Sequence, residues 1–179
     1  MQATQNIIKN NTNTIISLNE NPIDIVKYFM FLDSHNKNIF DTNKLQILTY
    51  YAQAWLLSLY NECFFDEDFV ALPGGGVCLI SLFRYFKLNE IDNIHNKGYN
   101  EIQNINLQDK KQKKKHLLLN QVLNYFYDCD NNYLRQQIRN HTPWKNAYFY
   151  KQKGLSDIIT KENIMSFYQK LYGLDKISA

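Results

Sequence analysis

Apolar positions along this chain recur at helical spacing wherever they are dense. Ile25, Phe29 and Leu32, with Val26 and Met30 beside them, form a wide stripe that predicts a helix ending near Ser34-His35-Asn36. Asn21-Pro22-Ile23-Asp24 supplies its start: a capping Asn, a proline suited to the first helical position and an acid in the first turn. The strongest pattern follows Asp41-Thr42-Asn43. Leu45, Leu48, Ala52, Trp55, Leu56 and Leu59 mark one face, and Ile47, Tyr50, Tyr51, Ala54 and Leu57 the other. Only Gln46, Thr49 and Gln53 form a thin polar strip, so this helix is expected to be central and buried on nearly all sides. Three polar residues near its middle speak against a membrane span.

The pattern then changes. Cys63-Phe64-Phe65 and Phe69-Val70-Ala71-Leu72 are short aromatic and branched runs around an acidic tip, Asp66-Glu67-Asp68, and predict a small β-hairpin. Pro73-Gly74-Gly75-Gly76 breaks the chain, and a helix is expected over Val77–Leu88 with Leu79, Leu82, Phe83 and Phe86 on one face. Residues 89–106 read as loop, with a helical turn around Ile91. Leu118, Val122 and Phe126 predict a long helix from Asp109 to Tyr127, and Leu134 and Ile138 a short one over Asn131–Asn140. In His141-Thr142-Pro143-Trp144, Thr142 is the expected N-cap and Pro143 the first helical residue. A last helix begins after Thr160, carries Ile164, Phe167, Tyr168 and Leu171, and stops at Gly173. The fold class is therefore mainly α: a compact multi-helix single domain with one small β-hairpin. Residues 1–20 read as a polar N-terminal arm and 21–179 as the domain.

Composition narrows the function classes. The 179 residues suit one domain; 45% are hydrophobic and 21% charged, which excludes a disordered chain. Thirteen Tyr and eleven Phe provide large buried areas, while six Gly and three Pro disfavour a turn-rich sandwich. A net charge of +3 is too small to mark a nucleic-acid binder by itself. Cys63, Cys78 and Cys129 are odd in number and unpatterned, which reads as reduced thiols in a cytoplasm. Met1 to Asn13 carries no apolar signal segment and no run is long enough to span a bilayer, so a cytoplasmic protein without membrane contact is expected.

Candidate chemistry is sparse. His35, His95, His116 and His141 and the three cysteines never fall at metal-ligand spacing, so neither a metal nor another cofactor is expected. The glycine run before a helix offers free N–H groups to an anion but lacks the Lys and Ser/Thr of a phosphate loop, leaving a tight turn as the plainer reading. Cys78, near a helix start, could carry a lowered pKa, although nothing in the sequence brings a base such as His141 to it. Asp66, Glu67 and Asp68 read as exposed turn charges or a docking tip for a basic partner. Lys110-Lys111-Gln112-Lys113-Lys114-Lys115 is the one strong charge run. Opening a helix, it opposes the dipole with only Asp109 in compensation, and reads either as a solvated face or as a contact for an acidic surface or phosphate backbone.

Taken together, several motifs carry a resemblance. Leu45-Gln46-Ile47-Leu48-Thr49-Tyr50-Tyr51-Ala52-Gln53-Ala54-Trp55 resembles the L-Q-K-L-x-Y-Y-A-Q-A-W helix of the Panacea domain, the domain of the SocA-like antitoxins and related phage-associated proteins. The resemblance continues through Phe65–Ala71, the glycine turn, Phe83-Arg84-Tyr85-Phe86-Lys87, Leu118–Tyr127, His141-Thr142-Pro143-Trp144 and Ile164–Tyr172. Ile47 stands where the family has Lys, and Gly74-Gly75-Gly76-Val77 where it has an aromatic or His followed by Gly-Pro-Val. The resemblance implies an antitoxin-like protein, without catalytic residues, that binds and neutralises a protein toxin encoded by a neighbouring gene. In at least one lineage the antitoxin delivers its toxin to a protease as an adaptor. Gly75, Gly76, Arg84, Tyr85, Asp66 and Glu67 are the expected partner-binding residues. Leu45, Tyr50, Tyr51, Ala52, Trp55, His141, Pro143 and Trp144 are the structural residues of the motif. Two rivals stand beside this reading: a nucleic-acid-binding regulator using Lys110–Lys115, and a small enzyme built from Cys78, His141 and the glycine turn.

Overall fold

Residues 14–33, 40–89 and 109–174 are described by a computed structural model of the chain. The loop expected over 89–106, with its turn at Ile91, lies almost wholly outside them, as do His35 and His95. In chain order the elements are β1 (Ile16–Ser17), α1 (Pro22–Asp33), α2 (Thr42–Tyr60), β2 (Glu62–Cys63), β3 (Phe69–Leu72), a 3-10 turn (Pro73–Gly75), β4 (Gly76–Cys78), α3 (Ile80–Leu88), α4 (Lys110–Phe126), α5 (Asn131–Asn140), α6 (Thr142–Gln152), β5 (Ile158–Ile159) and α7 (Lys161–Leu171).

Helix α2 is the axis. It packs against α1, α4, α5 and α7 and against β2 and β4. Leu45, Leu48, Ala52, Ala54, Leu56 and Leu57 are wholly buried, as the pattern predicts for a helix apolar on both faces. Tyr50 meets Phe69 edge-on at 5.2 Å, and Tyr51 stacks on Phe126 at 4.0 Å, so the aromatic motif residues join α2 to β3 and α4.

The thin polar strip has its own work. Gln53 Nε2 donates to the Phe65 carbonyl at 2.9 Å, and its Oε1 accepts from the Phe64 N–H at 2.7 Å. Gln46 repeats this two turns earlier: its Oε1 accepts from Leu79 N at 2.9 Å and its Nε2 donates to Leu79 O at 3.3 Å. Thr49, between them, returns its hydroxyl to the Leu45 carbonyl. A primary amide carries a donor and an acceptor side by side, which matches the N–H and C=O of one extended stretch of backbone. Lys44, also buried, donates its ammonium to the carbonyls of Phe126, Tyr127 and Cys129 and closes the C-terminal end of α4. Burial pushes its pKa down, and the opposing charges of Cys129, Asp41, Asp130 and Asp128 work against that shift.

Helix starts follow the expected chemistry. Asp41, Asp109, Asp130 and Thr160 each accept a backbone N–H of the first turn. Gly173 takes a positive φ just after α7, in keeping with its expected role as a stop. Helix α6 begins one residue earlier than the sequence pattern suggests: His141 occupies its cap position without a side-chain bond, and Thr142 is already helical.

Two expectations are corrected. The hairpin is not Cys63–Leu72 around the acidic tip. Strand β3 pairs antiparallel with β4 across the glycine turn, Val70 opposite Cys78 and Leu72 opposite Gly76, and on its other edge with β5. Strand β2 instead pairs in parallel with β1, Ile16 opposite Glu62. The helix expected over Val77–Leu88 starts only at Ile80, because Val77 and Cys78 belong to β4. The described part of the arm is also docked: Ile16, Leu18 and Glu20 donate their N–H groups to Asn61, Cys63 and Phe64.

Replacing Gln53 by Leu strands the Phe64 N–H and the Phe65 carbonyl in a buried site. The expected loss is about 2–4 kcal/mol of unfolding free energy, read from urea denaturation midpoints. A loss under about 1 kcal/mol would mean that this loop finds other partners.

Candidate functional site

The glycine turn is built for close approach, not display. Gly74 and Gly75 both have positive φ, a region open to glycine and strained for other residues. A Cβ on Gly75 would collide with the Arg135 carbonyl oxygen, so the turn lies directly on the backbone of α5. Arg135 also donates to the Pro73 carbonyl at 2.9 Å. From the next helix, Trp144 Nε1 donates to the Gly76 carbonyl at 2.9 Å, while the Trp144 ring stacks on Tyr148. Gly75 and Gly76, expected as partner contacts, are buried against α5 and α6.

The acidic segment is likewise engaged. Helix α3 has no capping side chain at Leu79, and the Glu67 carboxylate fills that role by accepting from Ser81 N at 2.9 Å. Asp68 pairs with Lys161 at 2.9 Å, and the same ammonium reaches the Asp66 carbonyl. Only the Asp66 side chain stands exposed. Paired carboxylates for acid–base chemistry are not what this segment forms.

Beyond the turn, α3 presents an unexpected outer face. Phe83, expected on the packed side, is 47% exposed, and Ile80 and Leu88 are exposed with it. Arg84 lies on this outer side, whereas Tyr85 is half-buried against the core. Between α3, the start of α2 and the β3–β4 hairpin lies a half-open groove of about 280 Å³. Leu72, Val77, Phe83 and Phe86 give it apolar walls, Cys78 and Gln46 line it, and Thr42, Asn43 and Lys87 add polar groups. Lys87 Nζ sits 4.6 Å from the centre of the Phe83 ring. The i, i+4 spacing of Phe83 and Lys87, with Ile80 one turn earlier, was the signal in the sequence for this face.

Cys78 does not behave as an activated nucleophile. It lies in β4 ahead of α3, and burial, reinforced by Glu67, raises its pKa. His141 keeps other company: its Nδ1 is 3.1 Å from Tyr168 Oη and its ring packs against Phe167. No hydrogen bond or ring contact joins Cys78 to His141 among the described residues. No group of three metal-ligating side chains converges there either. No described helix is long and apolar enough to cross a membrane.

The remaining motif residues lie mostly in the core. Leu45, Tyr50, Tyr51, Ala52, Pro143 and Trp144 are buried, and Trp55 is half-buried against Tyr125 at 5.8 Å. In the lysine run, Lys114 pairs with Glu62 and Lys115 with Glu20 at 2.6 Å, which leaves Lys110, Lys111 and Lys113 exposed. Two of the five cations thus hold the arm and β2 to α4.

Fold and site together describe a helical domain organised round one buried helix, with a shallow apolar groove beside a glycine turn. The family described as "Antitoxin SocA-like, Panacea domain" matches residues 45–145, more than half of the chain, and the protein belongs to it. The match runs from the first turn of α2 to the start of α6 and so contains both amides, the turn and the groove's lining apart from Thr42 and Asn43. No curated protein and no solved structure matches the chain.

Two outcomes follow. Gly75→Ala should cost at least about 2 kcal/mol more than Gly154→Ala, since both have positive φ but only Gly75 faces a collision. Calorimetric melting of the two variants measures the difference. Burial first, then Lys145, pushes the His141 pKa from 6.5 down to about 4. The unfolded chain binds that proton near pH 6.5 and the folded chain only near pH 4, so this contribution is complete above pH 6.5 and drains away as pH falls to about 4. Melting temperatures from pH 7.5 to 4.5 should fall less steeply for His141→Gln than for the unaltered protein. Parallel curves would exclude His141 as a source of the slope.

Proposed function

We propose that this protein is an antitoxin that binds and neutralises a cognate protein toxin by covering its active surface, without a catalytic step of its own, in the cytoplasm. Membership of the SocA-like family over residues 45–145 carries this reading. The toxin-binding face is the outer side of α3 together with the groove beside the glycine turn. Arg84 and the exposed Ile80, Phe83 and Leu88 supply the apolar and guanidinium groups that dominate binding energy in protein interfaces. Asp66 adds an exposed charge, and Gly75 and Gly76 set the shape of the turn beside the groove. A stable inhibitory complex needs about 800 Å² from each partner, so the face must extend beyond the groove onto these neighbours. Delivery of the bound toxin to a protease is compatible with the same face, since an adaptor must first hold its cargo.

The lysine run favours this reading over a nucleic-acid one, because Lys114 and Lys115 are held by Glu62 and Glu20.

Co-expression with the product of the neighbouring gene tests the proposal in a bacterial host. Rescue of growth and co-purification of the pair are the expected results. Phe83→Asp with Arg84→Glu should abolish both while leaving the melting temperature within a few degrees, as both side chains are exposed. A harmless neighbour that does not co-purify would overturn the reading.

A further inference from the structure

We infer that two copies of this chain associate through an aromatic patch formed by the last turns of α2, the outer side of α4 and Tyr172, in a two-fold contact that leaves the α3 groove of each copy free. The inference goes beyond the antitoxin reading and does not depend on it.

The patch is continuous. Trp55 is half-buried with the Tyr125 ring 5.8 Å away, and Tyr172, just past α7, borders both. At the far end of α2, Lys114 Nζ sits 4.8 Å from the centre of the Tyr60 ring. These two contacts make α2 and α4 antiparallel along this side, so Leu117 and Gln121 of α4 fall between them and beside Leu59. Tyr125 is 70% exposed, and Leu59, Tyr60, Leu117 and Tyr172 are each about half exposed.

Size gives the first argument for a partner. A whole tyrosine or tryptophan side chain covers about 150–250 Å², and with the two leucines the exposed fractions leave roughly 600 Å² on the patch. That is the upper end of what a monomer leaves uncovered, about 300–600 Å². Two such patches together reach about 1,200 Å², where stable interfaces begin. Tyrosine and tryptophan are also the side chains in which interface binding energy concentrates.

Polarity gives the second, and it points to a second copy. The middle of the patch holds no ionised side chain among the described residues. Lys114 and Glu62 pair with each other at one border, and Asp128 stands beyond the other. A two-fold contact brings groups near the axis against their own copies, so a charged centre would repel itself and this one does not. The polar groups present are tyrosine hydroxyls and the exposed Gln121 amide, each of them both donor and acceptor. Each can therefore bond its own kind across the axis, a property that a partner of different sequence does not require.

Placement supplies the consequence. The groove uses the first turns of α2, at Thr42, Asn43 and Gln46, and the patch its last, so the two lie about 20 Å apart along the helix. A pair joined through the patch carries two separate α3 faces.

Sedimentation velocity of the full chain from about 1 to 300 µM tests the inference. The mass should rise from one copy to two and stop there. In a ¹⁵N-labelled sample over the same range, the amide signals of Leu59, Leu117, Gln121 and Tyr125 should shift, and those of Phe83 and Arg84 should not. Tyr125→Glu and Leu59→Glu should each weaken association at least about tenfold, whereas Phe83→Asp should leave it unchanged. Melting at about 1 µM, where every variant is a single copy, checks that each one folds. A single copy at every concentration, growth past two copies, shifts confined to other surfaces, or association untouched by the two glutamates would overturn the inference.

Discussion

The fold depends on two carboxamides inside its central, largely buried helix. Gln46 and Gln53 lie seven residues apart, two turns on one face of α2, and each grips the backbone of a different segment. Gln53 fixes the stretch that leads from β2 to β3, and Gln46 fixes the junction of β4 and α3. Neither segment has a helix of its own to satisfy its N–H and C=O groups at those points, and burial without partners would cost about 1–3 kcal/mol for each group. The amides remove that cost and also set position, because a two-point bond fixes both location and direction. The short sheet and the groove are placed on the helical core through these contacts.

That dependence explains why the turn matters through its buried glycines, Gly75 and Gly76. Between the two clamped segments the chain must reverse in a few residues while lying on α5. Gly75 permits the approach, Arg135 and Trp144 hold the turn's carbonyls from two helices, and β3 and β4 close the reversal. The same arrangement leaves α3 attached at its start by Glu67 and Gln46 with its outer face uncovered by any described element. Rigid placement of an uncovered apolar face lowers the ordering cost of association.

The helices were legible in the sequence because their signals are local: period, caps and stops. Helix α2 was read as central from its two apolar faces, and that is how it packs. Its three polar residues are plain in the sequence, but a sequence does not show which backbone stretch an amide will face. The hairpin was misplaced for a related reason. The aromatic runs flanking Asp66–Asp68 fit a β-ladder, yet β2 takes a partner 46 positions earlier and β3 one nearly 90 positions later, choices fixed by tertiary packing. Val77 and Cys78 are apolar in either period, so the boundary between β4 and α3 was hidden. Phe83 was assigned inward by hydrophobicity alone; its exposure depends on which side of α3 meets the core. The family resemblance was carried by the α2 motif and the His141–Trp144 segment, while the groove, assembled from α2, β3, β4 and α3, had no contiguous signature.

The segment that carries the family signature is shorter than the unit that encloses its central helix. Residues 45–145 include α2 but not α1, β5 or α7, although α7 packs along α2 more extensively than any other helix and Tyr168 meets both Tyr50 and Tyr51. During synthesis, then, α2 emerges early and waits for more than a hundred further residues before its covering helix arrives. Throughout that interval an apolar helix and an unpaired edge of β3 are open to chaperones, proteases and other nascent chains. Cover over α2 is thus completed last, and a partly made chain leaves Tyr50 and Tyr51 without the ring of Tyr168.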